Sequence, residues 1–112
     1  MDILMKKALL FLSIFISIFF SHLIYADCVG NCENGYGIYT WENGDKYEGN
    51  WVNGKKNGYG TKTWITGDKY EGNYVGGKKH GYGTYTFGNG NKYEGYWENG
   101  KKVGSEIVPS NF

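Results

Sequence analysis

The chain has 112 residues, enough for one small domain, and carries 12 lysines, 11 acidic residues and no arginine, for a net charge of +1. A near-neutral chain without arginine lacks the excess positive charge that binds the phosphates of nucleic acid, so the sequence predicts no nucleic-acid partner. The composition also divides the chain, because all 19 glycines and all four tryptophans follow residue 26, whereas four of the six phenylalanines precede it.

Residues 1–26 have the pattern of a secretory signal peptide. Lys6 and Lys7 precede a predominantly apolar run from Ala8 to Tyr25, and Ala26 provides a small residue at a cleavage site. We predict a hydrophobic signal helix that is cleaved near Ala26, which would make the mature protein periplasmic or secreted. The alternative is an uncleaved membrane anchor, because the apolar run is just long enough to span a bilayer.

Residues 27–33 contain both cysteines of the chain, Cys28 and Cys32. Export would place them in an oxidising compartment that permits disulfides. We predict an intrachain disulfide that caps a degenerate half-repeat, because terminal repeats lack one neighbour. An intermolecular disulfide is the main alternative, since a metal site would need more ligands and a C-x-x-C redox motif has a different spacing.

Residues 34–104 are dominated by an internal repeat. Three blocks of equal length follow one another without insertion or deletion, at 34–56, 57–79 and 80–102. In each block a turn signal such as Asn43-Gly44 separates two short segments rich in Tyr, Trp and Thr. About six strands joined by such short turns predict an all-β fold with one antiparallel sheet, since tight connections cannot produce parallel pairs. The predicted strands are 36–41, 46–52, 59–64, 69–75, 82–87 and 92–98, and residues 105–112 form a C-terminal tail.

The alternation of residues predicts one aromatic face and one polar face of this sheet. A glycine such as Gly49, between Tyr47 and Trp51, leaves a notch in which a ring from the adjacent strand can lie against the backbone. The predicted binding face consists of the rings of Trp41, Tyr47, Trp51, Trp64, Tyr70, Tyr74, Phe87, Tyr93 and Trp97. The predicted structural glycines are Gly37, Gly49, Gly60, Gly72, Gly83 and Gly95.

The run Tyr47-Glu48-Gly49-Asn50-Trp51, followed by Gly54, Gly58 and Gly60, resembles the MORN (membrane occupation and recognition nexus) repeat, and it recurs from Tyr70 and from Tyr93. The resemblance covers residues 34–104. It implies an elongated, twisted, single-layer sheet of β-hairpins, and a role in binding or assembly, not in catalysis. Some family members are linked to membrane phospholipids and others to protein partners. With the signal peptide, the resemblance predicts an exported bacterial member.

Paired lysines sit in the turns between blocks, and stacking of the blocks would place them along one edge of the sheet. Such lysines keep turns soluble and discourage edge-to-edge association. The functional alternative is contact with an anionic surface, at about 1 kcal/mol per lysine. The candidate contact residues are Lys55, Lys56, Lys78, Lys79, Lys101 and Lys102.

No nucleophile elbow, phosphate-binding loop or metal-ligand cluster is visible in the sequence. Glu48, Glu71 and Glu94 recur in matching surroundings, whereas acid–base catalysis needs carboxylates in different environments. The sequence therefore predicts a non-enzymatic module without cofactor, metal or catalytic residues. The predicted function is protein–protein interaction, including self-association, or scaffolding in the cell envelope. The alternative is peripheral binding of anionic membrane lipid or envelope polymer through the lysine-rich edge, and carbohydrate binding by exposed rings is a third class.

Overall fold

The computed structural model describes residues 26–104, which form one open antiparallel sheet and contain no helix. Its strands lie in space in the order in which they follow one another in the sequence. They are β1 (Asp27–Gly30), β2 (Gly35–Thr40), β3 (Lys46–Val52), β4 (Lys55–Thr63), β5 (Lys69–Val75), β6 (Lys78–Thr86), β7 (Lys92–Glu98) and β8 (Lys101–Val103). The all-β prediction is confirmed for this part of the chain, and no helix in it could span a membrane. The predicted signal helix and residues 105–112 lie outside the described residues.

The sheet has eight strands, so the prediction of about six was wrong. The additional strands are at the two ends: β1 pairs with β2, with Cys28 opposite Tyr39, and β8 pairs with β7, with Lys102 opposite Trp97. Both flanks continue the repeat pattern in shortened form. They pair because an end strand that adds to a sheet satisfies backbone groups that would otherwise be left without partners.

Two kinds of connection alternate along the sheet. Two-residue turns join successive repeats, and both turn residues have positive φ, as at Asn53 (50°) and Gly54 (74°). This is the type I′ geometry, which matches the twist of the flanking strands and favours Asn-Gly. Within each repeat a longer loop is closed by backbone hydrogen bonds, such as that from the Trp41 N–H to the Asp45 carbonyl (2.8 Å). Strands β4 and β6 therefore begin at the paired lysines, which the sequence analysis placed in turns.

The interior of the sheet is a chain of six aromatic rings on one face, each between 0% and 6% exposed. Consecutive rings meet edge to face at centroid distances of 5.0–5.4 Å, the geometry in which the positive edge of one ring faces the negative face of the next. The order of this aromatic chain is Trp51, Tyr47, Tyr74, Tyr70, Trp97 and Tyr93. Residues 26–104 form a single sheet without a second layer, so the aromatic chain constitutes the core of this part of the protein.

Glycines make room for the aromatic chain. The Tyr47 ring lies over Gly49 of its own strand, where an added Cβ would come within 2.6 Å of the Tyr47 hydroxyl oxygen. The same ring covers Gly60, which pairs with Gly49 across β3 and β4. The prediction that the notch at Gly49 is filled from the adjacent strand is therefore corrected: the tyrosine leans along its own strand, and its hydroxyl donates to the Asn50 carbonyl (3.1 Å).

A disulfide takes the place of a ring at the N-terminal end of the sheet. Cys28 and Cys32 are bonded, which confirms the predicted intrachain pairing. An added Cβ on Gly37 would lie 2.9 Å from the Cys32 sulfur, so sulfur covers this glycine much as the Tyr47 ring covers Gly60. The disulfide thus supplies the apolar cover that a preceding repeat would otherwise provide.

Successive repeats are also tied together at both ends of their strands. At one end the Gly77 N–H donates to the Lys56 carbonyl (2.9 Å), one turn to the next. At the other end the Ile65 N–H donates to the Asp45 carboxylate (3.0 Å), one loop to the next. Each repeat therefore interacts with its immediate neighbours, as expected for a quasi-one-dimensional protein.

We expect Gly60→Ala to lower the free energy of unfolding by about 3 kcal/mol, because the new methyl group would displace the Tyr47 ring. Gly54→Ala is the matched control, since an added Cβ there meets no atom within 4 Å. Only the cost of positive φ, about 1 kcal/mol, applies at that position. Urea denaturation of both variants measures the difference, and equal losses would contradict the ring-over-glycine arrangement.

We expect the double variant Cys28→Ser, Cys32→Ser to unfold about 2 kcal/mol more easily than the wild type, because it releases a five-residue loop. The loss of stability should first affect the strands next to the disulfide. Amide hydrogen exchange should accelerate in β1 and β2 and stay unchanged in β5 and β6, whose cover is aromatic. Uniform acceleration along the whole sheet would argue against a capping role.

Candidate functional site

The side of the sheet that carries the aromatic chain also carries a second, less buried set of rings. Tyr39, Trp41, Trp64 and Tyr85 pack against the chain and remain partly exposed. Trp41 and Trp64 each lie one residue beyond a strand, where the loop begins. Phe87 occupies the corresponding position in the third block and is also partly exposed. These five rings form the accessible surface of this side.

The paired lysines divide between the two sides of the sheet. Lys56 lies opposite Trp51 in the register and therefore on the aromatic side, whereas Lys55 lies opposite Val52 on the other side. The same division separates Lys79 from Lys78 and Lys102 from Lys101. All six lysines lie at the edge of the sheet where β4, β6 and β8 begin, but they do not form one surface, because neighbouring residues of a strand point in opposite directions.

Each lysine on the aromatic side holds its ammonium group over rings. The Lys56 Nζ atom lies 5.3 Å from the centroid of Trp41, and the Lys79 Nζ atom lies 4.9 Å from that of Trp97. The Lys102 Nζ atom lies 5.1 Å from the centroid of Phe87. These are cation–π distances, at which the ring face attracts the positive charge.

Lys62 was not singled out from the sequence, yet it is the most buried lysine on this side, with 8% of its surface exposed. Its Nζ atom lies 3.3 Å from the centroid of Trp41 and 5.7 Å from that of Trp64. The register places Lys62 opposite Tyr47 on one side and Tyr70 on the other. Comparison of the three blocks would have revealed it, because the other two have tyrosine there.

We call the set Lys56, Lys62, Lys79, Lys102, Tyr39, Trp41, Trp64, Tyr85 and Phe87 the lysine–aromatic face. Burial, with the positive charges of Lys56 and Lys79 nearby, lowers the pKa of Lys62 to about 8, although Asp45 opposes the change. Burial also lowers the pKa of Lys56 and of Lys79. The face is therefore a region where positive charge is crowded and partly removed from water.

Two grooves adjoin Lys62. One has a volume of about 470 Å³ and is lined by Tyr39, Trp41 and Asp45 among others. The other has a volume of about 320 Å³ and lies between Lys56, Trp64 and Lys79. Both are open to solvent along the sheet. The first contains the carboxylates of Glu42 and Asp45 beside the Lys62 ammonium group, whereas every charged residue that lines the second is a lysine.

The opposite side of the sheet has a different character. Its exposed rings, one or two in each repeat, are Tyr36, Tyr59, Tyr82 and Tyr96. Carboxylates accompany them, and the Tyr36 hydroxyl donates to Glu48 (2.6 Å). Within residues 26–104, no three His, Cys, Asp or Glu side chains come together in a way that could hold a metal ion.

The residues predicted for the aromatic face all lie on one side of the sheet, but they divide by exposure. Six of them form the buried aromatic chain and are closed to a ligand, whereas Trp41, Trp64 and Phe87 remain accessible. An added Cβ on any of the six predicted structural glycines would come within 3.0 Å of a neighbouring atom. These positions are therefore filled by neighbouring groups and are closed to a ligand as well.

Comparison with protein families identifies this arrangement. The model of the MORN repeat matches residues 33–46, 47–69, 70–92 and 93–105, well over half of the chain. The chain belongs to the MORN repeat family. MORN repeats are non-catalytic modules that generally bind proteins or lipids. Three of the four matched units begin at a tyrosine that lies over a glycine, at Tyr47, Tyr70 and Tyr93. A search of curated proteins found no significant match.

We expect the stability of this MORN protein to depend on pH through Lys62. The pKa of Lys62 is about 8 in the folded chain, against an ordinary value of 10.5. Between these values the unfolded chain keeps a proton that the folded chain has released, so stability increases with pH, by at most about 1.4 kcal/mol per pH unit.

The measurement is urea denaturation of the wild type and of Lys62→Met, which has no titratable group at this position. The variant should be the more stable protein at about pH 7, and its advantage should decrease by about pH 9.5. An advantage that does not change with pH would mean that Lys62 is solvated like an ordinary surface lysine.

Proposed function

We propose that this protein is an exported binding module that engages a protein partner through its lysine–aromatic face. The observation that carries the proposal is the combination of partly exposed rings with ammonium groups that lie over them. Tryptophan and tyrosine provide most of the energy at protein interfaces, since they combine a large contact area with few rotatable bonds. MORN repeats in general act by binding, which agrees with this proposal.

Export is part of the same proposal. The basic and apolar N-terminal pattern supports it, and so does the disulfide between Cys28 and Cys32, because disulfides persist in oxidising compartments. Such a module would meet its partner in the cell envelope or outside the cell. A scaffold role is consistent with a sheet that presents one continuous face.

Attachment to anionic lipid or envelope polymer through the lysine edge is the weaker candidate. On the side opposite the aromatic chain, that edge presents three exposed lysines, Lys55, Lys78 and Lys101, whereas the other three turn to the aromatic side. Three lysines would contribute about 3 kcal/mol near an anionic surface. This corresponds to millimolar or weaker affinity, which would need a second anchor.

We expect Trp64→Ala to weaken partner binding by tenfold or more, because Trp64 is an accessible ring of the face. Tyr59→Ala is the matched control: it removes an exposed ring of β4 on the opposite side of the sheet, and should change affinity less than twofold. The wild-type mature protein captures its partner from envelope extract by cross-linking. Calorimetry with the purified partner then compares the variants, and urea denaturation checks that both are folded.

The proposal fails if Tyr59→Ala abolishes binding and Trp64→Ala does not, because the partner would then use the opposite side. It also fails if the wild type captures no protein but sediments with phosphatidylglycerol vesicles, and does so only when Lys55, Lys78 and Lys101 are intact.

A further inference from the structure

Lys62 is an exception within a repeating surface. The strand register places it in a row across β2 to β7 whose other members are Tyr39, Tyr47, Tyr70, Tyr85 and Tyr93. A tyrosine would suit this position, as it does in the first and third blocks. A buried lysine costs free energy, because its charge loses water without gaining a partner. A residue that lowers stability within an otherwise regular repeat is expected at a functional site.

The third block shows what a tyrosine does at this position. The Tyr85 hydroxyl donates to the Asp68 carboxylate in the loop of the preceding repeat (2.6 Å). Asp45 is the counterpart of Asp68 and lies in the loop of the repeat that precedes Lys62. The Lys62 ammonium nevertheless forms no salt bridge with Asp45, and lies over the Trp41 ring instead. The Asp45 oxygens are occupied by the Ile65 N–H and the Asn43 side chain.

Two more ammonium groups converge on the same place. Lys56 shares the Trp41 ring with Lys62, and Lys79 shares the Trp64 ring with it, at 5.4 Å from the centroid. The salt bridge that the structure shows in residues 26–104 joins Lys69 to Glu71 on the other side of the sheet. The described residues therefore place no carboxylate within 4.0 Å of any of the three ammonium groups.

We propose that Lys56, Lys62 and Lys79 bind the carboxylates of an acidic peptide segment, with Trp41 and Trp64 packing against its neighbouring apolar side chains. This inference rests on the proposed function, since it names the chemistry of the protein partner at the same face. The segment supplies the negative charge that the face lacks. Its extended backbone follows the groove between Lys56, Trp64 and Lys79, in which every charged lining residue is a lysine.

Charge and depth favour a peptide over a membrane. A lipid surface is broad and flat and meets lysines that extend from an edge, whereas Lys62 is 8% exposed and its ammonium group lies over the Trp41 ring. Individual side chains of a peptide can enter such a depression. Three positive charges with no carboxylate within 4.0 Å among the described residues also give electrostatic complementarity to a run of acidic residues, and this complementarity determines specificity.

The decisive variant is Lys62→Tyr, which makes the second block match its neighbours. We expect this variant to fold, and to be at least as stable as the wild type, because the site accepts tyrosine elsewhere in the sheet. The probe is a short fluorescein-labelled peptide of alternating glutamate and leucine, and fluorescence anisotropy measures its affinity. Lys62→Tyr should bind the probe about tenfold more weakly or worse. Lys55→Gln, which removes an exposed lysine from the opposite side, should change binding less than twofold.

Three results would overturn the acidic-peptide site. The first is equal binding of the probe by wild type and Lys62→Tyr. The second is equal binding by the wild type of a peptide in which glutamine replaces glutamate. The third is Lys62-dependent binding of inorganic phosphate or phosphatidylglycerol vesicles that is tighter than binding of the probe, since the site would then serve a phosphate anion.

The two proposals can fail separately. If the captured partner needs Trp64 but binds Lys62→Tyr as well as the wild type, the acidic-peptide site is wrong and the protein-binding role stands. If the probe binds through Lys62 while the native extract yields no protein that depends on Trp64, the site stands and the proposed function is wrong.

Discussion

The contact of a tyrosine ring with side-chain-free backbone is the constraint on which this structure depends. A sheet without a second layer can bury apolar surface only against itself, and the rings of Tyr47 and Tyr70 do so by covering a glycine on their own strand and another on the next strand. The edge-to-face contacts then connect one repeat to the next. The constant length of the repeat follows from this contact, because the ring of each repeat must lie on the same side of the sheet, above the corresponding pair of glycines. An insertion of one residue in a strand would turn its ring to the opposite side.

The same arrangement explains why the lysine–aromatic face is accessible and charged. The aromatic chain occupies the middle of the strands, so the rings at the loops, Trp41, Trp64 and Phe87, have no covering layer and stay partly exposed. The stems of Lys56, Lys79 and Lys102 lie along this apolar surface, as long amphipathic side chains do, and Lys62 is buried over the Trp41 ring. A face built in this way combines aromatic area with positive charge in each repeat, and both derive from the absence of a second layer.

Much of this could be predicted from the sequence, and the errors have a common cause. The bounds of β3, β5 and β7 were predicted residue for residue, because Tyr, Gly and Trp alternate there with polar residues. The strands that precede β5 and β7 were predicted too short, since Lys-Lys after Asn-Gly is typical of a turn, and only the pairing with β3 or β5 shows that these lysines are in strands. The end strands and Lys62 were missed because each departs from the repeat: the first are truncated copies, and the second is a polar residue in an aromatic position. Periodicity predicts the residues that recur in every repeat, whereas the proposed peptide site depends on Lys62, which does not recur.

That distinction has a physical consequence for recognition. A surface of identical repeats offers a ligand several equivalent positions, related by shifts of one repeat, and binding energy alone cannot select among them. Lys62 removes this equivalence, since the row to which it belongs has tyrosine at the corresponding positions of the neighbouring repeats. An acidic residue placed at Lys62 fixes the position of the rest of a bound segment, whereas a shift by one repeat would place that carboxylate against a tyrosine and leave the lysine without a partner. The free energy lost by burying one ammonium group would in this way select a single register on a periodic sheet.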